Sequence, residues 1–221
     1  RRMGDFGVGN GHVFALSGYA CPLNTLHTMI GPHYQKDSGF FEDTWSVPEA
    51  DVDPRRLSVR DGRVFRVRGT PILITCERSA ALSLVSVTFA PAGLGPDDPR
   101  NRSIVRIVAV RNPADEVVGD VQLVTRNADS SRDDRVRRLV ALAPAGAADA
   151  DRLPLGDLAP GQEVTAALAW VVTTEGQGEA ETVSALRSSD LDELLGTTRD
   201  AWHAWLEDAA RLESPDPRVD D

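Results

Sequence analysis

Three of the four histidines, both tyrosines and one tryptophan of this 221-residue chain fall between Gly4 and Trp45. His27 and His33 stand six apart around Met29 and Gly31, with Asn24, Tyr34 and Gln35 close by. Rings, imidazoles and amides together offer contact area and hydrogen bonds, which suits a loop facing a ligand or a neighbouring domain. The competing reading is a turn-rich opening hairpin whose rings fill the core. A metal site would need a third ligand beside the two His, and no HxH, HExxH or cysteine partner occurs, so no metal is expected. Paired carboxylates recur at Glu42/Asp43, Asp97/Asp98 and Asp133/Asp134. Each reads as a solvated loop beside Pro, Gly or Arg, whereas a general acid needs burial to raise its pKa. There is no Gly-x-Ser-x-Gly elbow and no Cys/His pair in a nucleophile's context. Gly7, Gly9 and Gly11 suggest a phosphate loop, but the next position of a dinucleotide fingerprint is His12, and the segment opens into a strand. No catalytic residue and no cofactor is expected from these residues.

Composition narrows the setting. A formal charge of -10 disfavours a general nucleic-acid role, because phosphate binding needs clustered Lys and Arg. The Arg-rich run from Arg132 to Arg138 is interrupted by Asp133 and Asp134 and reads as a solvated turn entering a strand. Nothing approaches the roughly 20-residue apolar run of a membrane span. Cys21 and Cys76 are the only cysteines, too few for a disulfide framework or a Cys-based zinc site. Free, core-like thiols are expected, with a disulfide left open if the two meet in space. No secretory signal peptide is read within residues 1–221, and Arg1-Arg2-Met3 reads as the interior of a longer product, so the compartment stays open. Asn101-Arg102-Ser103 is a glycosylation sequon that matters only in a eukaryotic secretory host.

The elements that must hold these residues are β-strands. Residues 12–19 and 40–47 are β-prone, and Asp61-Gly62 between LSVR and RVFRVR reads as a two-residue hairpin, since both turn positions favour positive φ. Residues 72–78, 82–89, 102–111, 117–125, 136–143 and 163–173 complete the set. In 102–111 the alternation places Ile104, Arg106, Val108 and Val110 on one face and Val105, Ile107 and Ala109 on the other. Strands with turns every 8 to 15 residues and no helix between them mean antiparallel sheets packed face to face, a β-sandwich of about ten or more strands.

After Thr174 the pattern changes. An EGQGE linker leads to residues 180–187, and Ser189 or Asp190 then offers an N-cap with acidic residues in the first turn. Leu191, Leu194, Leu195, Thr198, Trp202, Trp205, Leu206, Ala209 and Leu212 recur at spacings of three and four, one apolar stripe on a helix of about six turns. Ser214-Pro215 stops it. His203, between the two Trp, is read as a surface residue. The sandwich can cover part of the stripe, and a further domain the rest, so Trp202, Trp205 and Leu206 are the expected interface residues.

The wording of the chain resembles one family. GNG, VFAL, PLN and GPHYQ, followed by the Asp-Gly hairpin and PILITCERSAALSLVSVTFAP, are similar to the N-terminal β-supersandwich domain of bacterial six-hairpin glycosidases. These are the glucoamylase-like and maltose-phosphorylase-like enzymes. The closing AWHAWLEDAARLESPDPRVDD resembles the linker helix leading from that sandwich into their (α/α)6 toroid. The resemblance implies a galactose-mutarotase-like antiparallel sandwich over residues 1–175 and a linker helix over 176–221. It further implies that the catalytic carboxylates lie in the downstream toroid and none in this chain. The partner is then that toroid, and the ligand a carbohydrate, contacted if at all by Asn24, His27, His33, Tyr34 and Gln35; equally, that loop only docks the domains. Two other readings stay open: an autonomous carbohydrate-binding module, and a small mutarotase-like enzyme that would need a buried His and Glu pair facing one concave sheet.

Overall fold

The computed structural model describes residues 6–17, 25–30, 39–46, 63–78, 81–127, 135–143, 152–174 and 178–208. Twelve strands lie among them: β1 (Phe6–Gly9), β2 (Val13–Ser17), β3 (Thr25–Ile30), β4 (Gly39–Ser46), β5 (Arg63–Arg66), β6 (Leu73–Arg78), β7 (Ser83–Phe89), β8 (Ser103–Arg111), β9 (Val118–Asn127), β10 (Arg135–Ala143), β11 (Arg152–Leu158) and β12 (Glu163–Thr174). They form two six-stranded antiparallel sheets, ordered β1-β2-β3-β4-β9-β11 and β10-β12-β8-β7-β6-β5. Two helices follow, α1 (Glu179–Arg187) and α2 (Leu191–Asp208). The expected mainly-β, antiparallel sandwich followed by a helix is the architecture found.

Strand alternation divides the core into two layers. On β8, Val108 and Val110 point between the sheets, where Leu84, Leu123, Leu153, Leu158 and Leu168 meet them, and Ile104 on the same face packs with Val8, Val13, Leu73 and Trp170. Val105, on the opposite face of β8, packs with Ile72, Phe89, Val171, Leu186 of α1 and Leu194 of α2. The second sheet is therefore covered on both sides, by the first sheet and by the helices. This explains the unbroken buried run Ala166–Val172 in β12, where a one-sided strand would alternate.

Three elements, and the placing of one carboxylate pair, depart from the sequence expectation. Phe6–Gly9, read as a glycine turn, is a strand paired to β2, and the turn is Gly11-His12, closed by the Asn10 N–H donating to the Val13 carbonyl at 3.3 Å, with Gly11 at φ 90°. The segment around His27, read as a loop, contains β3, paired on both edges by β2 and β4; the ladder from two neighbours outweighs the flanking Pro and Gly signals. Glu42 and Asp43 lie in β4, the strand expected over 40–47, and not in a solvated loop. β11 escaped notice because Pro154 and Gly156 argue against a strand. It sits at the sheet edge, with its register shifting on either side of Gly156, where those residues are tolerated. β5 pairs with β6; Asp61-Gly62 and the expected strand before it lie outside the described residues.

Residues 180–187, given no helix by the sequence pattern, belong to α1. Only Thr182 and Leu186 of this helix are buried, an i, i+4 pair too sparse to mark an apolar stripe. Asp190, of the two candidate caps, caps α2: its Oδ1 accepts from the backbone N–H of Asp192 at 2.9 Å and of Glu193 at 3.1 Å.

Candidate functional site

Of the sequence-predicted ligand residues, Asn24, His33, Tyr34 and Gln35 lie outside the described residues, as does Cys21. His27 is in the middle of β3, opposite Leu16 on β2 and Phe40 on β4. Cys76 carries a free, half-buried thiol. The sequon residue Asn101 is buried and its Nδ2 donates to the Gly95 carbonyl at 2.8 Å, so the folded chain does not present it for glycosylation. Among the described residues, no three His, Cys, Asp or Glu side chains are grouped to hold a metal ion, and no helix is long and apolar enough to cross a membrane.

The helix stripe is held from its N-terminal half. Leu194 is 3% exposed and Thr198 is fully buried. The Thr198 hydroxyl donates to the Leu194 carbonyl at 2.8 Å and accepts from the Ala92 N–H at 3.2 Å, tying α2 to the loop after β7. At Gly93, φ 77°, an added Cβ would stand 2.6 Å from the Ala201 Cβ, so this close approach requires glycine. The junction between α1 and α2 is fixed by a polar link. Asp98 caps a 3-10 turn at Pro99–Arg102, accepting from the Arg100 backbone N–H at 2.9 Å and pairing with its guanidinium at 2.7 Å. Arg100 also donates to the Ser189 hydroxyl at 3.2 Å. The hydrogen bond from the Arg100 side chain holds the Asp98 carboxyl below its ordinary pKa, and the same bond raises that of Arg100.

Towards its C-terminal end the same stripe comes out of the core. His203 Nε2 is 3.1 Å from the Arg68 carbonyl, and the position of a Cβ on Gly69 would be 3.0 Å from Leu206 Cδ1. The helix therefore rests on the β5–β6 turn by one edge only. Trp202 is half-buried and meets Trp205 edge-on, ring centroids 5.6 Å apart. Trp205 is 61% exposed, Leu206 41%, and Phe65, on the strand leading into that turn, 48%. The surface reading of His203 holds, with the added contact to Arg68. The helix is thus anchored in its N-terminal half and carries exposed Trp and Leu towards its C-terminal end.

A second feature lies between the sheets. Arg106, 1% exposed, sits on the inner face of β8, where its Nε donates to Thr88 Oγ1 at 2.8 Å and its guanidinium lies 5.4 Å from the centroid of the buried Trp170 ring. With Thr75, Glu77 and Ser86, Arg106 lines a cavity of about 10 Å³ that Leu123 of the other sheet also lines. Glu77 is a buried carboxylate, the type a mutarotase-like reading would seek, but this cavity admits a water molecule and not a pyranose. Sequence patterning places Arg106 among Ile104, Val108 and Val110, and an arginine on an otherwise apolar face is the sequence signal of a buried polar cluster.

No family model matches this chain, and no curated protein sequence matches it. Among solved structures, it is similar to a bacterial glucoamylase complexed with acarbose, with a TM-score of 0.56 at 8% sequence identity over 93% of this chain. The chain spans 37% of the length of that glucoamylase. At this identity the likeness shows a shared fold.

Proposed function

We propose that this chain is a non-catalytic N-terminal sandwich domain of a glycoside hydrolase or phosphorylase, packing on a downstream (α/α)6 catalytic toroid. The observation that carries the reading is the exposed apolar end of α2, Trp205 and Leu206, on a fold shared with about a third of a bacterial glucoamylase. Burying a half-exposed tryptophan is worth several kcal/mol at about 25 cal/mol per Å², enough for that end of the helix to act as an anchor in an interdomain contact. In the same reading, the segment that carries His27 in β3, with Asn24, His33, Tyr34 and Gln35 beside it in sequence, reaches the rim of the sugar site. Amides and imidazoles there would bond hydroxyls, and the Tyr34 ring would face the pyranose.

The test is made in the parent polypeptide. His27→Ala combined with Tyr34→Ala is expected to lower sugar turnover at least tenfold while moving the melting temperature by only a few degrees. A large fall in melting temperature with turnover retained would leave this segment a docking role alone.

A further inference from the structure

The cavity between the sheets has chemistry of its own. Its polar lining comes from three adjacent strands: Thr75 and Glu77 on β6, Ser86 on β7 and Arg106 on β8. Register sets them on a diagonal. Glu77 stands opposite Leu84, two residues before Ser86, and Arg106 stands opposite Thr88, two residues after it. Ser86 is 4% exposed, and its hydroxyl is buried without a hydrogen-bond partner among the described residues. A buried hydroxyl is almost always satisfied by protein or by ordered water.

We propose that this cavity is the site of one structural water, bonded to the Ser86 hydroxyl and to polar atoms of the lining, which ties β6, β7 and β8 together beneath the first sheet. Size and charge choose the occupant. A water needs at least about 10–15 Å³ and two to four polar partners; the cavity has about 10 Å³ and four polar lining residues. A carboxylate and a guanidinium line the same space, so neither a lone anion nor a lone cation finds a matching field. Water, both donor and acceptor, suits the mixed lining.

A crystal structure of the chain that resolves ordered solvent is expected to show one density peak within hydrogen-bonding distance of Ser86 Oγ. An empty cavity, or a Ser86 hydroxyl turned onto a backbone carbonyl, would overturn the proposal. So would an anomalous peak there after a bromide soak, which would make the occupant an anion. In solution, oxygen-17 relaxation dispersion is expected to count one fewer long-lived internal water in Ser86→Val, whose methyl groups fill the space. An unchanged count in a folded Ser86→Val protein refutes the site. Should that variant fail to fold, Ser86→Ala keeps the room and removes one partner, so the same water is expected to exchange faster; an unaltered dispersion profile counts against the proposal.

Discussion

Leu194→Ala and Trp205→Ala cut the same helix eleven residues apart, and their contrast tests how α2 is held. Leu194 is 3% exposed and packs into the layer that includes Ile72, Phe89 and Leu186. Removing its side chain beyond Cβ leaves a cavity that the surrounding strands cannot close, a loss of about 2–5 kcal/mol. Trp205 is 61% exposed. Of a tryptophan's roughly 250 Å² this leaves about 150 Å² in solvent, so truncation in the isolated chain should cost only about 1 kcal/mol, mainly its edge contact with Trp202. Covered by a partner domain, that 150 Å² would contribute about 4 kcal/mol. Urea unfolding of the isolated chain, followed by tryptophan fluorescence and repeated by far-UV circular dichroism, measures the first two quantities. The same substitutions in the parent polypeptide measure the third. Trp205→Ala is expected to be mild alone and severe in the parent, and Leu194→Ala severe in both. Equal losses for the two variants in the isolated chain would refute the one-ended anchoring of α2. A Trp205→Ala effect that stays mild in the parent would refute the docking role.

Two further outcomes follow from named contacts. Gly93→Ala places a Cβ against Ala201 and puts an L-residue at φ 77°, so it should destabilise the chain by roughly 2 kcal/mol or more. Adding Ala201→Gly should recover only the steric part, as a double-mutant cycle would show. Asp98→Asn keeps a capping oxygen but loses the ion pair with Arg100, and should cost roughly 0.5–1 kcal/mol at neutral pH. Because the Asp98 pKa is lowered in the fold, its contribution is complete above the unfolded carboxylate value near 4 and is lost as pH falls through the lower folded value. Urea midpoints of wild type and Asp98→Asn should therefore differ at pH 7 and draw together only as pH falls below the ordinary carboxylate range, through the lowered folded-state value of Asp98.

How much was legible in the sequence depended on where each element's bonds come from. The central strands carry their pattern in their own residues: the alternation of 102–111 matched β8 and sorted its two faces correctly. β1, β3 and β11 contain or adjoin Gly and Pro, so local signals point to turns, while their ladders come from partner strands: β2 for β1, β2 and β4 for β3, and the non-adjacent β9 for β11. The Asp190 cap and the apolar stripe of α2 were readable because both are local, within one or two helical turns. Which part of the stripe stays exposed was not, since that depends on where the loop at Gly93 and the turn at Gly69 meet the helix. The candidate ligand residues were chosen by side-chain type in one segment, and only the backbone of His27 among them falls in a described element. The cluster of Glu77, Ser86 and Arg106 was hidden for a different reason. Its members come from three strands spread over some thirty residues, and only the pairing register brings them to one cavity.

The central claim is that this sandwich works as a supporting domain of a carbohydrate-active enzyme. The most direct measurement is the coding sequence downstream of Asp221. A following region of several hundred residues, helical in pattern and with acidic residues at its loop ends, is the expected result. A stop codon soon after Asp221 would contradict the claim.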